Sequence, residues 1–137
     1  LAAAGALTGP QACVDEVRRI YRERRDVLVE GLAQAGWQIP VPEATMFAWA
    51  PLPPAFAHLG SLAFSKLLLQ HAKVAVSPGV GFGEYGDTHV RIAIVENRQR
   101  IRQAARSIKT FLASADRVLE QHERDTANVT PLKAVAS

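Results

Sequence analysis

The sequence is poor in the features that mark most functional classes. It has one cysteine, Cys13, in 137 residues. No internal disulfide can form, and the composition fits a reducing compartment such as the cytoplasm. Cys13 falls among apolar helical positions, which predicts a core residue rather than a nucleophile. No apolar run reaches the ~20 residues of a membrane-spanning helix. No charge sign dominates either: sixteen Lys and Arg stand against thirteen Asp and Glu, a net of +3. A nucleic-acid surface calls for a one-signed patch. Five arginines crowd between Arg18 and Arg25, but Asp15, Glu16, Glu23, Asp26 and Glu30 interleave with them. Four-residue spacings such as Asp15–Arg19 and Arg22–Asp26 predict a self-paired, solvated helix face.

Catalytic and metal signatures are also missing. His58, His71, His89 and His122 share no i, i+4 spacing with another ligand type, so no metal site is expected. There is no Ser/His/Asp pattern and no conspicuous carboxylate pair. The start, LAAAGALTGP, lacks both an initiator Met and the charged beginning of a signal peptide. Its small apolar residues require a cover. The expectation is a piece of a longer protein, with residues 1–9 the remnant of a helix or linker.

What is present amounts to one domain with apolar content for a real core: 48% of the residues are hydrophobic. Pro10, with Thr8 or Gly9 as cap, opens a helix that runs to Ala35, where Gly36 stops it. Thr45–Ala50 reads as a strand with Phe47 and Trp49 on one face and Met46, Ala48 and Ala50 on the other. Both faces are apolar, which predicts cover on both sides. Ser61 is a candidate cap for a helix to about Ala72, with Phe64, Leu67, Leu68 and Ala72 inward. Val74–Val76 reads as a brief strand and His89–Val95 as another. Asn97 caps a final helix whose stripe is Ile101, Ala104, Ala105, Ile108, Leu112 and Ala115. Beyond Asp125 the pattern fades into a loose tail. The order predicts an α+β fold, a three- to four-stranded sheet with helices packed on it.

The informative stretch is VAVSPGVGFGEYGDTHVRIAIVEN, Val74 to Asn97. Gly81-Phe-Gly-Glu-Tyr-Gly86 formally matches a dinucleotide fingerprint, but it leads into a strand. The helix N-terminus that binds pyrophosphate is absent, and so is the mechanism. The glycines permit close backbone approach. Read alone, the loop is a flexible connection or a pocket lining stiffened by Pro78, Phe82 and Tyr85. Arg91 sits among Val90, Ile92, Ala93, Ile94 and Val95. A guanidinium in an apolar strand needs an anion. That anion is an internal carboxylate (Glu84, Asp87 or Glu96) or a bound carboxylate or phosphate gripped by two N–H groups. The residues alone leave both open.

Four stretches carry a family resemblance. They are IYRERRDVLVEGLAQAGW from Ile20, ATMFAWAPLP from Ala44, the Val74–Asn97 segment, and IRQAARSIKTFL from Ile101. Together they resemble the C-terminal small domain of class I/II, fold-type I, pyridoxal-phosphate-dependent aminotransferases. The wording from Gly60 to Asp87 is most similar to the alanine/diaminopimelate branch. Ala44 replaces the family's usual glycine before the strand.

The resemblance implies that residues 10–115 form that small domain, with 116–137 a helix extension and tail. It implies that Arg91 binds the α-carboxylate of an amino acid or 2-oxo acid. Phe47 and, less directly, Met46, Pro78 and Gly79 would lie near that site. Pyridoxal 5'-phosphate, the lysine that binds it and its phosphate contacts would belong to a large domain missing here, and the intact enzyme would be a homodimer. The fragment alone would bind no cofactor and be inactive. A decarboxylase or lyase on the same fold is a rival. Two readings from other classes are an effector-sensing domain of a transcriptional regulator and a non-catalytic α/β binding module.

Overall fold

The computed structural model describes residues 2–128. A short helix, α1 (Ala2–Thr8), precedes the long α2 (Ala12–Gln34). Then come β1 (Phe47–Pro51), a 3-10 turn over Pro54–Leu59, and α3 (Gly60–Ala72). The two-residue β2 (Ser77–Pro78), 3-10 turns at Gly79–Phe82 and Glu84–Thr88, and β3 (His89–Ala93) follow. Two helices, α4 (Arg98–Ala113) and α5 (Ala115–Asn128), complete the described residues. The three strands form one antiparallel sheet in the order β1-β3-β2. This is the α+β architecture that the sequence predicts.

Among the described residues, helices cover one face of the sheet. Ala48, Ala50, Val90, Ile92 and Ile94 join Leu28, Leu32, Phe64, Leu68, Ile101 and Ile108 in a continuous core. Phe56, Phe64 and Phe111 meet at its centre, with Phe56 stacked on Phe111 at 5.0 Å between centroids. Burying each such ring is worth roughly 1.5–3 kcal/mol. Trp37 is buried as well, and its indole N–H donates to the Pro51 carbonyl at 2.8 Å, so burial leaves no orphan donor.

Several sequence expectations hold. Gly36 ends α2 with φ +84°, in the left-handed region that suits glycine. The Asn97 side chain accepts from the Arg100 N–H at 3.0 Å and caps α4. Phe64, Leu67, Leu68 and Ala72 are the buried stripe of α3.

Others are corrected. Cys13 is exposed, because the core reaches only the second half of α2, where Leu28 and Leu32 are buried. Val14 and Val17 share that exposure. Gln11, rather than Thr8 or Gly9, precedes α2, and its side chain makes no cap bond to that helix, its amide donating instead to the Ala6 and Gly9 carbonyls. Val74–Val76 is irregular, and pairing begins at Ser77. The first strand starts at Phe47 rather than Thr45, since Thr45 takes φ +70°, outside extended geometry. The last helix breaks at Ser114, whose hydroxyl turns back to donate to the Thr110 and Phe111 carbonyls. Phe111 joins the core outside the expected stripe because α4 packs on both α2 and α3, so its apolar face is wider. Helix α5 runs to Asn128, and the rest of the expected tail lies outside the described residues.

The arginine-rich face of α2 is self-paired, though not by the expected pairs. Asp15 meets Arg18 at 3.6 Å, Arg19 meets Glu23 at 2.8 Å, and Asp26 takes Arg25 at 2.7 Å. The Arg25 guanidinium also leans toward the Pro42 carbonyl, which leaves it beside Asp26. Among the described residues no helix is long and apolar enough to cross a membrane, and no group of three or more His, Cys, Asp or Glu is placed to hold a metal.

Candidate functional site

The uncovered face of the sheet carries Arg91. Strand alternation puts His89 and Arg91 on one side of β3 and Phe47 and Trp49 on one side of β1. The antiparallel register then sets Trp49 opposite Arg91, Pro51 opposite His89 and Phe47 opposite Ala93, which brings the two sides onto the same face. Ser77 of β2 flanks Arg91 from the other edge. One cation thus lies centrally on a patch of aromatic rings.

The geometry around the guanidinium is specific. Its carbon lies 4.2 Å from the Phe47 ring centre and 4.5 Å from that of Phe82. Both distances are within cation–π range. Trp49 packs edge-on against Phe82 at 5.8 Å and stacks on His89 at 5.5 Å with planes 10° apart. The His89 Nδ1 is engaged with the Thr88 hydroxyl at 2.8 Å.

Arg91 has donors to spare. Among the described residues its one hydrogen bond is a long contact, 3.4 Å from Nη2 to the Ser77 hydroxyl. Nε is buried and meets no acceptor among the described residues. None of the ion pairs among the described residues includes Arg91. The expected internal partners are elsewhere: Glu84 and Glu96 are exposed, and Asp87 accepts from Ser61. A buried N–H without an acceptor costs about 1–3 kcal/mol. With Nε closed in by protein, Nη1 and Nη2 remain as the guanidinium's outward donors, suited to a small anion.

The loop before β3 is built rather than slack. Gly79 and Gly86 press backbone to backbone, so that a Cβ on either would strike the other's carbonyl oxygen. This contact ties the first 3-10 turn to the second. Tyr85 does not share in the lining and is 93% exposed. The second turn leads into β3, so the glycine run opens no helix, as its sequence context requires.

Of the residues singled out from the sequence, the structure brings Phe47 directly onto Arg91. Pro78 sits beside it on β2, opposite Val90. Gly79 is buried and acts through backbone packing. Met46 lies just before β1, 42% exposed, with its carbonyl accepting from the Ile94 N–H at 2.8 Å. His89 joins by alternation along β3 itself; Trp49 and Ser77 are contributed by the register, which no one-strand reading supplies.

The same residues do not fit pyridoxal phosphate. Lys66 and Lys109 lie on exposed positions of α3 and α4, the helices on the opposite face of the sheet. The Lys73 ammonium is bonded to the Gln70 carbonyl at 2.8 Å. The described part of the chain therefore puts no lysine on the Arg91 face.

Comparison with known proteins accords with this geometry. Residues 1–108 match the family "Aminotransferase class I and II". A glutamate-pyruvate aminotransferase, AlaC of Escherichia coli, is 58% identical over 111 residues, covering 81% of this chain and 27% of that protein. An LL-diaminopimelate aminotransferase of Moorella thermoacetica is 40% identical over 111 residues, 81% of this chain and 28% of its own length. The crystal structure of an aromatic aminotransferase from Pyrococcus horikoshii superposes with a TM-score of 0.70 at 29% identity, over 89% of this chain and 31% of that one. The chain spans less than a third of the length of the relatives it matches. With the Arg91 strand, the glycine loop and the long helix α2 all within the matched region, the chain belongs to the class I and II aminotransferases, on their alanine/diaminopimelate aminotransferase-like branch.

Proposed function

We propose that residues 10–115 are the C-terminal small domain of a pyridoxal-phosphate-dependent aminotransferase, and that Arg91 receives the α-carboxylate of its amino acid and 2-oxo acid substrates. The observation that carries this reading is the state of the guanidinium: seated between Phe47 and Phe82, short of acceptors, and paired with no carboxylate among the described residues. A carboxylate held by two parallel N–H groups is neutralised and fixed in orientation at once. The rings on either side exclude water, which strengthens the charge attraction. Holding the substrate in one orientation lowers the entropic part of the barrier.

In this reading pyridoxal phosphate, carried by the rest of the intact enzyme, serves as the electron sink for amino transfer. This chain contributes substrate positioning and no cofactor seat, so alone it turns nothing over. The open aromatic face and the exposed first half of α2 support cover by a large domain and by the second subunit of a homodimer. The single cysteine accords with a cytoplasmic protein.

The test uses the full-length protein. Arg91→Ala should raise KM for the amino acid by about 10²–10³-fold, the worth of a buried charge-assisted pair, with the cofactor's visible absorbance retained. Unchanged KM would remove Arg91 from the role.

A further inference from the structure

We propose that Asp87 is a positioning residue for the carboxylate seat: acting through Ser61, it holds the Gly79–Phe82 turn so that the Phe82 ring stays over Arg91. The inference rests on the reading of Arg91 given above.

The linkage runs through three hydrogen bonds. One carboxylate oxygen of Asp87, Oδ1, accepts both from the Ser61 backbone N–H at 2.9 Å and from the Ser61 hydroxyl at 2.8 Å. The Ser61 hydroxyl oxygen in turn accepts from the Val80 N–H at 3.0 Å. A hydroxyl has one proton and two lone pairs. Donating to Asp87 fixes its rotation and aims a lone pair at Val80. Ser61 is wholly buried, so no solvent competes for that proton.

Val80 is the second residue of the Gly79–Phe82 turn, which ends on Phe82. The Val80 carbonyl accepts from the Gly83 N–H at 3.1 Å, and the Gly83 carbonyl accepts from the Gly86 N–H at 2.9 Å. The loop is thereby pinned at its start through Ser61 and at its end through Asp87, with both pins on the same helix. Phe82 lies between them, 54% exposed, with Arg91 and Trp49 as its supports on the protein side. A ring so exposed has little packing of its own to hold it.

The local sequence accommodates the tether. Helix α3 has no side-chain cap of its own; Leu59 stands at that position. Asp87, 26 residues beyond Ser61, supplies the missing acceptor at the helix N-terminus. Gly60 leaves the space, since a Cβ there would come within 2.8 Å of the second Asp87 oxygen. A cap alone would stabilise the fold. The cap together with the Ser61–Val80 bond makes loop placement depend on the same carboxylate.

The test compares Asp87→Ala, Asp87→Asn and Ser61→Ala in the full-length enzyme, with Arg91→Ala alongside. Asp87→Ala should raise KM for the amino acid roughly fivefold or more while kcat changes less, because the lost element is the ring that supports the guanidinium. Asp87→Asn retains an acceptor for Ser61 and should restore much of that loss, which a role resting on net charge would not show. Should Asp87→Ala fail to fold, Ser61→Ala leaves the carboxylate and its backbone bond in place and cuts only the link to Val80; it should still raise KM. An unchanged KM in folded Ser61→Ala and Asp87→Ala, with a raised KM in Arg91→Ala, overturns the tether and leaves the carboxylate reading standing. An unchanged KM in Arg91→Ala overturns both.

Discussion

The guanidinium carbon of Arg91 lies over the Phe47 ring, 4.2 Å from its centre, although Phe47 is not its partner across the ladder. Trp49 holds that position. The side chain of Arg91 therefore reaches along the face to the Phe47 ring, while Trp49 is taken up by His89 and Phe82.

That relationship gives a measurable consequence. Replacing Phe47 by Leu keeps an apolar side chain and removes the π face. Cation–π contacts are worth about 0.5–2 kcal/mol depending on desolvation. In the full-length enzyme, Phe47→Leu should raise KM for the amino acid about 2- to 30-fold with a smaller change in kcat. Equal losses in kcat and kcat/KM would mean that Phe47 acts only at the transition state, which this geometry does not support.

The backbone contact of Gly79 with Gly86 predicts a contrast between neighbouring glycines. Gly79→Ala would drive a methyl group into the Gly86 and His89 carbonyls. Overpacking of this kind costs about 1–3 kcal/mol or more. At Gly81 an added Cβ meets nothing within 4 Å, so Gly81→Ala should stay within ~0.5 kcal/mol of the parent. Urea unfolding of the two variants measures the difference directly. Equal stabilities would show that the loop relaxes freely and is not closed by that contact.

Asp87 should also leave a mark on acid stability. The Ser61 N–H and hydroxyl hold its carboxyl below the ordinary value of 3.8, the backbone bond being the larger cause. A carboxyl lowered in the folded state contributes stability that is complete above its unfolded pKa and is lost as pH falls through the folded one. The Tm of the parent should therefore drop more steeply than that of Asp87→Asn once pH passes below 3.8, and the two curves should run parallel above pH ~5. Parallel curves over the whole range would show that the carboxylate is not held by Ser61.

Much of this architecture is legible along the chain because it depends on local rules. Helix α4 starts where Asn97 can accept from Arg100, α2 stops where Gly36 can turn left-handed, and α3 buries its apolar stripe. Where long-range packing competes, the local reading fails. Ser61 is the clearest case: a good cap by residue type, it lies inside α3 and hands that duty to Asp87, because the loop returns to the helix from 26 residues away. Cys13 fails for the converse reason, since the apolar period on α2 continues past the point where the core stops.

The sequence by itself determined the element order, the sheet-and-helix class, the strand that carries Arg91, and the exclusion of a dinucleotide loop. Each follows from periodicity and from backbone chemistry that acts over a few residues. Tertiary structure alone decided what surrounds the guanidinium. Alternation along β3 already sets His89 beside Arg91; the antiparallel register adds Phe47, Trp49 and Ser77 to that face, and the pinned loop adds Phe82. Glu84, Asp87 and Glu96 are all close in sequence to Arg91, but none pairs with it. Proximity along a chain does not set direction in space, and alternation, the Ser61 tether and solvent turn those carboxylates elsewhere.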